Sequence, residues 1–223
     1  MPQTQTVTAG ALALTKKLMA DSRFDDFILV GGTALALTIG HRQSIDIDLF
    51  TDKPFDAKLI AGVLEKEYDA QFVKVLNNGI FCSIDGIKTD LITHAYPFIT
   101  PPSVVESVRL MSELDIAAMK LHAIVQSGSR IKDFTDVFFL LERIPLSAIY
   151  DAYEDKYRPN TSRQVARLAL IDYSNINERE PVLLVERNFD WQQVKDRLKS
   201  AVEYPSLKFG PTLKQKLNQE NSP

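Results

Sequence analysis

Residues 27–50, FILVGGTALALTIGHRQSIDIDLF, carry the pattern from which the rest of the chain is read. Phe27-Ile28-Leu29-Val30 is a short apolar run and predicts a buried strand. Gly31-Gly32-Thr33 breaks it, and Ala34 to Ile39 predicts a short helix with Thr33 near its start. Ser44 to Phe50 alternates with period two and predicts a second strand. On that strand Asp46 and Asp48 share one face, while Ile45, Ile47 and Leu49 share the other and are expected to meet a core. Two neighbouring carboxylates repel each other unless a cation lies between them. Oxygen ligands of this kind suit Mg²⁺ or Mn²⁺. Backbone N–H groups at the Gly-Gly-Thr helix start suit a phosphate. A phosphate cradle beside a metal pair is the minimum equipment for chemistry on a nucleoside triphosphate (NTP).

Working outward, Ala9 to Ala20 predicts an amphipathic helix and Asp56 to Tyr68 another, with Leu59, Ile60, Val63 and Leu64 at helical spacing. Gln71 to Leu76, Gly79 to Ile84 and Ile87 to His94 predict three strands of an antiparallel meander. Asn77-Asn78-Gly79 and Asp85-Gly86 are its turns, and Pro97, Pro101 and Pro102 are expected to end the sheet. From Ser112 the period is helical. Ser112 reads as an N-cap with Asp115 in the acidic place of a capping box. Further helices are expected over 132–143, 148–157, 162–171 and 190–202, with a frayed tail from about Pro211. The fold class is therefore α+β: a mixed sheet with helices over 1–110, then an all-helical domain over 111–223.

Composition narrows the function classes. With 223 residues, 45% of them hydrophobic, the chain can bury one large core or two small ones. A net charge of −3 excludes a polycation built to coat nucleic acid. The single cysteine, Cys82, excludes a disulfide framework. No signal-peptide pattern and no run of ~18 apolar residues is present, so a cytoplasmic protein with no membrane span is expected. Residues 156–217 hold twelve Lys and Arg against seven Asp and Glu, a net of +5, which leaves −8 for the rest of the chain. A basic helical half beside an acidic site suits a polyanionic acceptor; an ordinary solvated helical surface accounts for the same charges.

Asp-x-Asp alone is weak evidence, because charged pairs commonly face solvent. Here the Gly-Gly-Thr turn lies just upstream and apolar neighbours make the strand central. Asp90 recurs on the last meander strand, in Ile87-Lys88-Thr89-Asp90-Leu91-Ile92. If that strand pairs beside 44–50, a third carboxylate joins the first two; otherwise Asp90 is a surface residue. Three carboxylates can divide the labour, two on metals that bind a triphosphate and one toward an attacking hydroxyl. Gly31-Gly32 is neither a Walker loop nor a dinucleotide fingerprint. Cys82 reads as a small core residue. His41, His94 and His122 have no metal-ligand spacing, and His41 reads better as a surface residue than as one facing a nucleotide.

Two blocks carry a family resemblance. Gly31-Gly32-Thr33-Ala34-Leu35, His41-Arg42, Ser44 and Asp46-Ile47-Asp48-Leu49 resemble the first motif of the AbiEii/AbiGii abortive-infection toxins, bacterial nucleotidyltransferases of the polymerase-beta-like superfamily. Asp115-Ile116-Ala117, Lys120-Leu121, Ala123, Lys132-Asp133-Phe134 and Asp136 are similar to a second block, a lysine helix followed by a basic-Asp-x-x-x-Asp-like signature. The resemblance covers roughly residues 25–145. It departs where family members often carry an arginine about seven residues after the lysine: this chain has Ser127 there, and Arg130 follows in the turn.

The resemblance implies Mg²⁺- or Mn²⁺-dependent transfer of a nucleotide from an NTP, for some relatives onto the 3′ end of tRNA, and a cognate antitoxin. It implies Asp46, Asp48 and Asp90 as metal ligands, Lys120 and Asp133 as further catalytic residues, and Gly31, Gly32, Thr33, Arg42, Ser44, Lys120, Arg130, Lys132 and Asp136 around the nucleotide. The helical hairpin 115–142 should close the site from the far side. Lys120 borders the apolar stripe Ile116-Met119-Ala123, from where it can reach a cleft; an exposed lysine and first-turn acids at Asp133 and Asp136 explain the same residues. Competing functions are transfer to a small molecule or a protein, and an NTP-binding regulatory protein without turnover, toward which Ser127 points.

Overall fold

The computed structural model describes residues 3–185, 188 and 190–211; the expectation of a frayed tail, and the end of the basic stretch over 156–217, fall mainly outside them. The central layer is a seven-stranded mixed sheet in the order β3-β4-β5-β2-β1-β7-β6. Its strands are β1 (Ile28–Leu29), β2 (Ile47–Thr51), β3 (Gln71–Leu76), β4 (Gly79–Ile84), β5 (Ile87–Thr93), β6 (Ser103–Val105) and β7 (Val108–Leu110). β1 and β2 are antiparallel and β2 and β5 parallel, with Asp48 beside Asp90 and Phe50 beside Ile92. The expected pairing of the meander's last strand beside the Asp-x-Asp strand is thus present.

The helices are α1 (Ala9–Met19), α2 (Gly31–Ile39), α3 (Ala57–Glu67), α4 (Glu113–Gln126), α5 (Ile131–Leu140), α6 (Leu146–Tyr157), α7 (Arg163–Ala169) and α8 (Trp191–Glu203). Polar side chains cap most of them: the Asp56 carboxylate accepts from Lys58 and Leu59 N–H, and that of Asp190 from Gln192 and Gln193 N–H. α5 is buried on nearly every side, with Phe134, Val137, Phe138 and Leu140 between α4 and α8. The hydrophobic core runs without interruption from α1 and the sheet into α4, α5, α6 and α8, so no gap in the packing marks residue 110.

Three local expectations are corrected. The prolines do not end the sheet: β6 and β7 follow them, and β7 pairs parallel with β1. Their hairpin turns on Glu106 and Ser107, both with positive φ. Such turns ordinarily carry Asn or Gly, so the signal was missing. α2 starts at Gly31, so the two glycines form its first turn instead of a break before it. Ile45 is 62% exposed because regular strand begins only at Ile47.

Asp115 does more than cap. Ser112 Oγ accepts from Asp115 N–H at 3.0 Å, as in a capping box. The Asp115 carboxylate, however, accepts from Ile99 N–H (2.9 Å), Thr100 N–H (3.0 Å), Ser112 Oγ (2.6 Å) and the fully buried Lys156 Nζ (2.9 Å). Lys156 also donates to Pro97 O at 2.7 Å. This pair ties the loop after the sheet to α4 and α6. Removing one member of a buried pair strands the other charge. Lys156→Met should therefore cost about 3–5 kcal/mol, read as a lower denaturation midpoint with an unchanged slope.

Candidate active site

A cleft of about 570 Å³ opens between the sheet's β2–β5 face, the start of α2 and the α4–α5 hairpin. Asp46, Asp48 and Asp90 line it, with Gly31, Gly32, Arg42, Ser44, Lys120, Arg130, Lys132 and Asp133. Alternation decides which side chains arrive: Asp48 and Asp90 are register neighbours on parallel strands, and Asp46 stands two residues earlier, just before β2.

At the start of α2 no side chain caps the helix, since Val30 occupies that place. The first N–H groups of a helix have no partner within it, and here they open on the cleft. Gly31 is required twice over: its φ is +66°, and a Cβ would lie 2.9 Å from Asp48 Oδ2. At Gly32 a Cβ would collide with the Arg42 guanidinium and sit 3.2 Å from Ser44 Oγ. Thr33 lies inside this turn instead of facing the cleft. Its hydroxyl bonds Ser44 Oγ at 2.9 Å and the carbonyl of Asp46, which anchors the approach to β2.

The carboxylates act on one another electrostatically. Burial raises the pKa of Asp48; Lys88 works against this, while Asp90 and Asp46 add to it. Asp90 is 5% exposed; its Oδ2 accepts from Lys88 Nζ at 2.6 Å, while Oδ1 is buried without a partner. An orphaned anionic oxygen beside a second carboxylate fits a hard divalent ion. Among the described residues no three His, Cys, Asp or Glu side chains converge on one point as a complete cage. Mg²⁺ is ordinarily held by one or two carboxylates together with substrate phosphates and water, so an all-protein cage is not needed. Lys88 was not singled out from the sequence, although Lys-x-Asp on one strand already places both side chains on one face.

The positive groups are organised by one buried acid. Asp136, with 0% exposure, accepts from Arg42 Nε (2.7 Å) and Nη2 (2.9 Å) and His41 Nε2 (2.8 Å), and pairs with Lys120 Nζ (2.7 Å). It does not line the cleft, so the expectation of a nucleotide contact at Asp136 becomes a positioning role. Burial opposes its charge, but Arg42 and Lys120 outweigh burial and hold the carboxyl well below its ordinary value. His41 is buried, contrary to expectation. Burial lowers its pKa, and its Nδ1 has no partner, so it stays neutral and donates through Nε2. Lys120 Nζ also meets Asp133 Oδ1 at 2.7 Å, and Arg130 grips the same carboxylate at 2.8 and 3.1 Å while 62% of its side chain remains exposed. Ser127 caps the end of α4 and bonds Ser129 away from the cleft.

Several cleft residues escaped the sequence reading. Glu180 pairs with Lys132 at 2.9 Å, and Pro181 and Leu183 line the rim. Their segment is clipped on by Gln43 N–H to Leu183 O (2.8 Å) and Val185 N–H to His41 O (3.0 Å). Ile116 is core as the sequence suggested, whereas Met119 and Ala123 are half-buried and line the cleft beside Lys120. Phe50, Ile92, His94, His122 and Tyr157 complete the wall.

A mixed sheet carrying in-register carboxylates beside an uncapped glycine-rich helix start is the arrangement a nucleotidyltransferase needs. The chain belongs to the family of nucleotidyl transferase AbiEii toxins of type IV toxin–antitoxin systems, whose sequence model matches residues 12–218. It is 30% identical over 190 residues to an uncharacterized protein of Aquifex aeolicus (strain VF5), covering 80% of this chain and 87% of that one. Its fold resembles a nucleotidyltransferase candidate from H. pylori, with TM-score 0.52 and 18% identity over 88% of this chain and 94% of the other. A second Helicobacter pylori structure, JHP933, superposes with TM-score 0.50 at 16% identity, covering 88% and 92%. The chain is thus an enzyme, a nucleotidyltransferase. No helix among the described residues is long and apolar enough to cross a membrane.

Asp136→Asn leaves Lys120 and Arg42 without their shared counter-charge and should cost about 3–5 kcal/mol at neutral pH. The native carboxyl ionises below the ~3.9 of an unfolded aspartate, so its contribution is complete above about pH 4 and disappears as pH falls through the folded value. The stability gap between native and variant protein should therefore narrow in denaturation curves taken below pH 4.

Proposed function

We propose that the protein transfers a nucleoside monophosphate from an NTP to an acceptor hydroxyl in a Mg²⁺-dependent reaction (Mn²⁺ serving equally). The acceptor is the 3′ end of an RNA, tRNA being the first candidate, and a cognate antitoxin restrains the activity. The single observation that carries this reading is the register pairing of Asp48 with Asp90 beside the uncapped start of α2. Family membership supports it.

In this reading Asp46, Asp48 and Asp90 hold the divalent ions, which supply charge neutralisation on the triphosphate and a more acidic acceptor hydroxyl. The N–H groups of Gly31 and Gly32 bind the phosphate tail. Arg130, which holds Asp133 through Nε and Nη2 yet stays largely exposed, and Lys132 add positive charge at the same end. Arg42 and Ser44 shape the cradle, and Thr33 holds Ser44 in place. The acceptor oxygen attacks the α-phosphorus, the bond to the bridging oxygen breaks, and pyrophosphate leaves toward Lys120. Lys120 is oriented there by Asp133 and Asp136. The attacking hydroxyl gives up its proton on the carboxylate side of the cleft.

Labelled NTPs incubated with total RNA provide the test. Label should enter RNA, pyrophosphate should appear in equal amount, and chelation of divalent ions should stop both. Asp48→Asn should lower the rate by at least about 10³-fold, roughly 4 kcal/mol of barrier, with an unchanged melting curve, since neutralising a repelled carboxylate does not disturb packing. Full activity in that variant overturns the metal assignment. Lys120→Ala should lower the rate by about 30- to 150-fold through loss of a charge-assisted phosphate contact. Label on protein or a small molecule alone would move the acceptor to that class.

A further inference from the structure

We propose that the apolar end of the cleft is a nucleobase subsite, built by Phe50, Ile92, His94, Met119, His122 and Tyr157. The inference rests on the transferase reading of the same cleft and adds to it the part of the nucleotide that this reading leaves unplaced.

Strand geometry sets the position. Phe50 stands two residues beyond Asp48 on β2 and Ile92 two beyond Asp90 on β5, and the two are register neighbours. They share the carboxylates' face, about 7 Å further along the strands. In the opposite direction lie Ser44 and Arg42, which precede β2, and Arg130 and Lys132 also line the cleft. The cleft therefore changes along its length from phosphate-binding groups, through carboxylates, to an uncharged wall. A nucleotide has the same order of chemistry, from phosphates to base.

The wall itself has the properties a base requires. His122 stacks on Tyr157 with centroids 3.9 Å apart and planes at 10°, and His94 lies 5.4 Å from Phe50 and 5.8 Å from Tyr157. Met119 offers a polarisable side chain from α4. Burial, aided by the nearby Lys156 ammonium, lowers the pKa of His94 to about 4, and burial lowers that of His122. Both imidazoles are then neutral at pH 7. Such a wall has no positive charge to hold a phosphate, yet each ring keeps one donor and one acceptor. His94 Nε2 meets the Tyr157 hydroxyl at 3.3 Å, whereas His122 Nδ1 is buried without a partner. An unpartnered ring nitrogen beside stacked aromatic surface is suited to the polar edge of a base. The base has two possible sources, the incoming NTP and the terminal residue of a nucleic-acid acceptor.

Calorimetric titration of the full chain separates them. The probes are the four NTPs with Mg²⁺, inorganic tripolyphosphate with Mg²⁺, and a mixed-sequence single-stranded RNA oligonucleotide. The proteins are the native chain, Phe50→Ala, Phe50→Leu and His122→Ala, each checked by thermal melting. In the native chain at least one NTP should bind about tenfold or more tightly than tripolyphosphate. Phe50→Ala and His122→Ala should lose about tenfold in affinity for a base-bearing probe, in line with the loss of one stacked base contact, with tripolyphosphate affinity unchanged. Phe50→Leu, which keeps apolar volume, covers the case in which the alanine variant fails to fold. A loss on the NTP arm assigns the subsite to the incoming nucleotide, and a loss on the RNA arm alone assigns it to the acceptor. Unchanged affinity on both arms, or an equal loss for tripolyphosphate, overturns the subsite. If the native chain binds neither NTP nor tripolyphosphate, the transferase reading fails and the subsite falls with it.

Discussion

The carboxylate of Asp136, buried on α5, is the contact on which the cleft depends. Around it gather Lys120 from α4 and His41 and Arg42 from the link between α2 and β2. Two cations and one neutral ring share one anion in a dry interior, where an unpaired charge would be costly. Satisfying them requires the helical hairpin to sit over the sheet's β2–β5 face at one spacing. The same contact therefore closes the core and sets the floor of the cleft. It also explains why Gly32 must be glycine, since the guanidinium that reaches Asp136 passes over it.

Across the cleft the problem is reversed: here the anions are in excess. Asp46 and Asp48 are half-buried and Asp90 is buried, and among the described residues the exposed Lys88 supplies their ion pair, at Asp90. The fold tolerates this because Asp46 and Asp48 keep partial exposure in the cleft, because Lys88 holds the buried Asp90, and because their strands are fixed by pairing that does not involve the side chains. Two opposed arrangements, satisfied cations on the helical side and unsatisfied anions on the sheet side, give the cleft a polarity that matches a metal-bound phosphate chain.

The interplay of Asp115 and Lys156 serves the same cleft from behind. By tying residues 97–100 to α4 and α6, this pair holds the end of β5 and its continuation, including His94 and Tyr96, against Tyr157. The aromatic end of the cleft is thus a consequence of a buried ion pair placed behind it. Asp115 could be read from the sequence as a cap, but its main partners come from residues far along the chain.

Local pattern alone determined much of this protein. Alternation in Ser44–Phe50 and Ile87–His94 placed Asp48 and Asp90 on one face of each strand, and helical periodicity, with Ser112 as a cap, located most helices within a residue or two. These are short-range effects of side-chain direction and N-cap hydrogen bonding, which a sequence carries explicitly. What it did not carry were pairings across long separations. That β5 lies parallel to β2 brings Asp90 to Asp48; that Asp136 faces inward makes it a hub instead of a ligand; that His41 is buried follows from its partner 95 positions away. The turn at Glu106-Ser107 hid two strands because tertiary packing, not residue preference, holds its positive φ angles. Only the folded chain decides such matters, because the energy of a buried charge or a strand register depends on which distant residue arrives beside it.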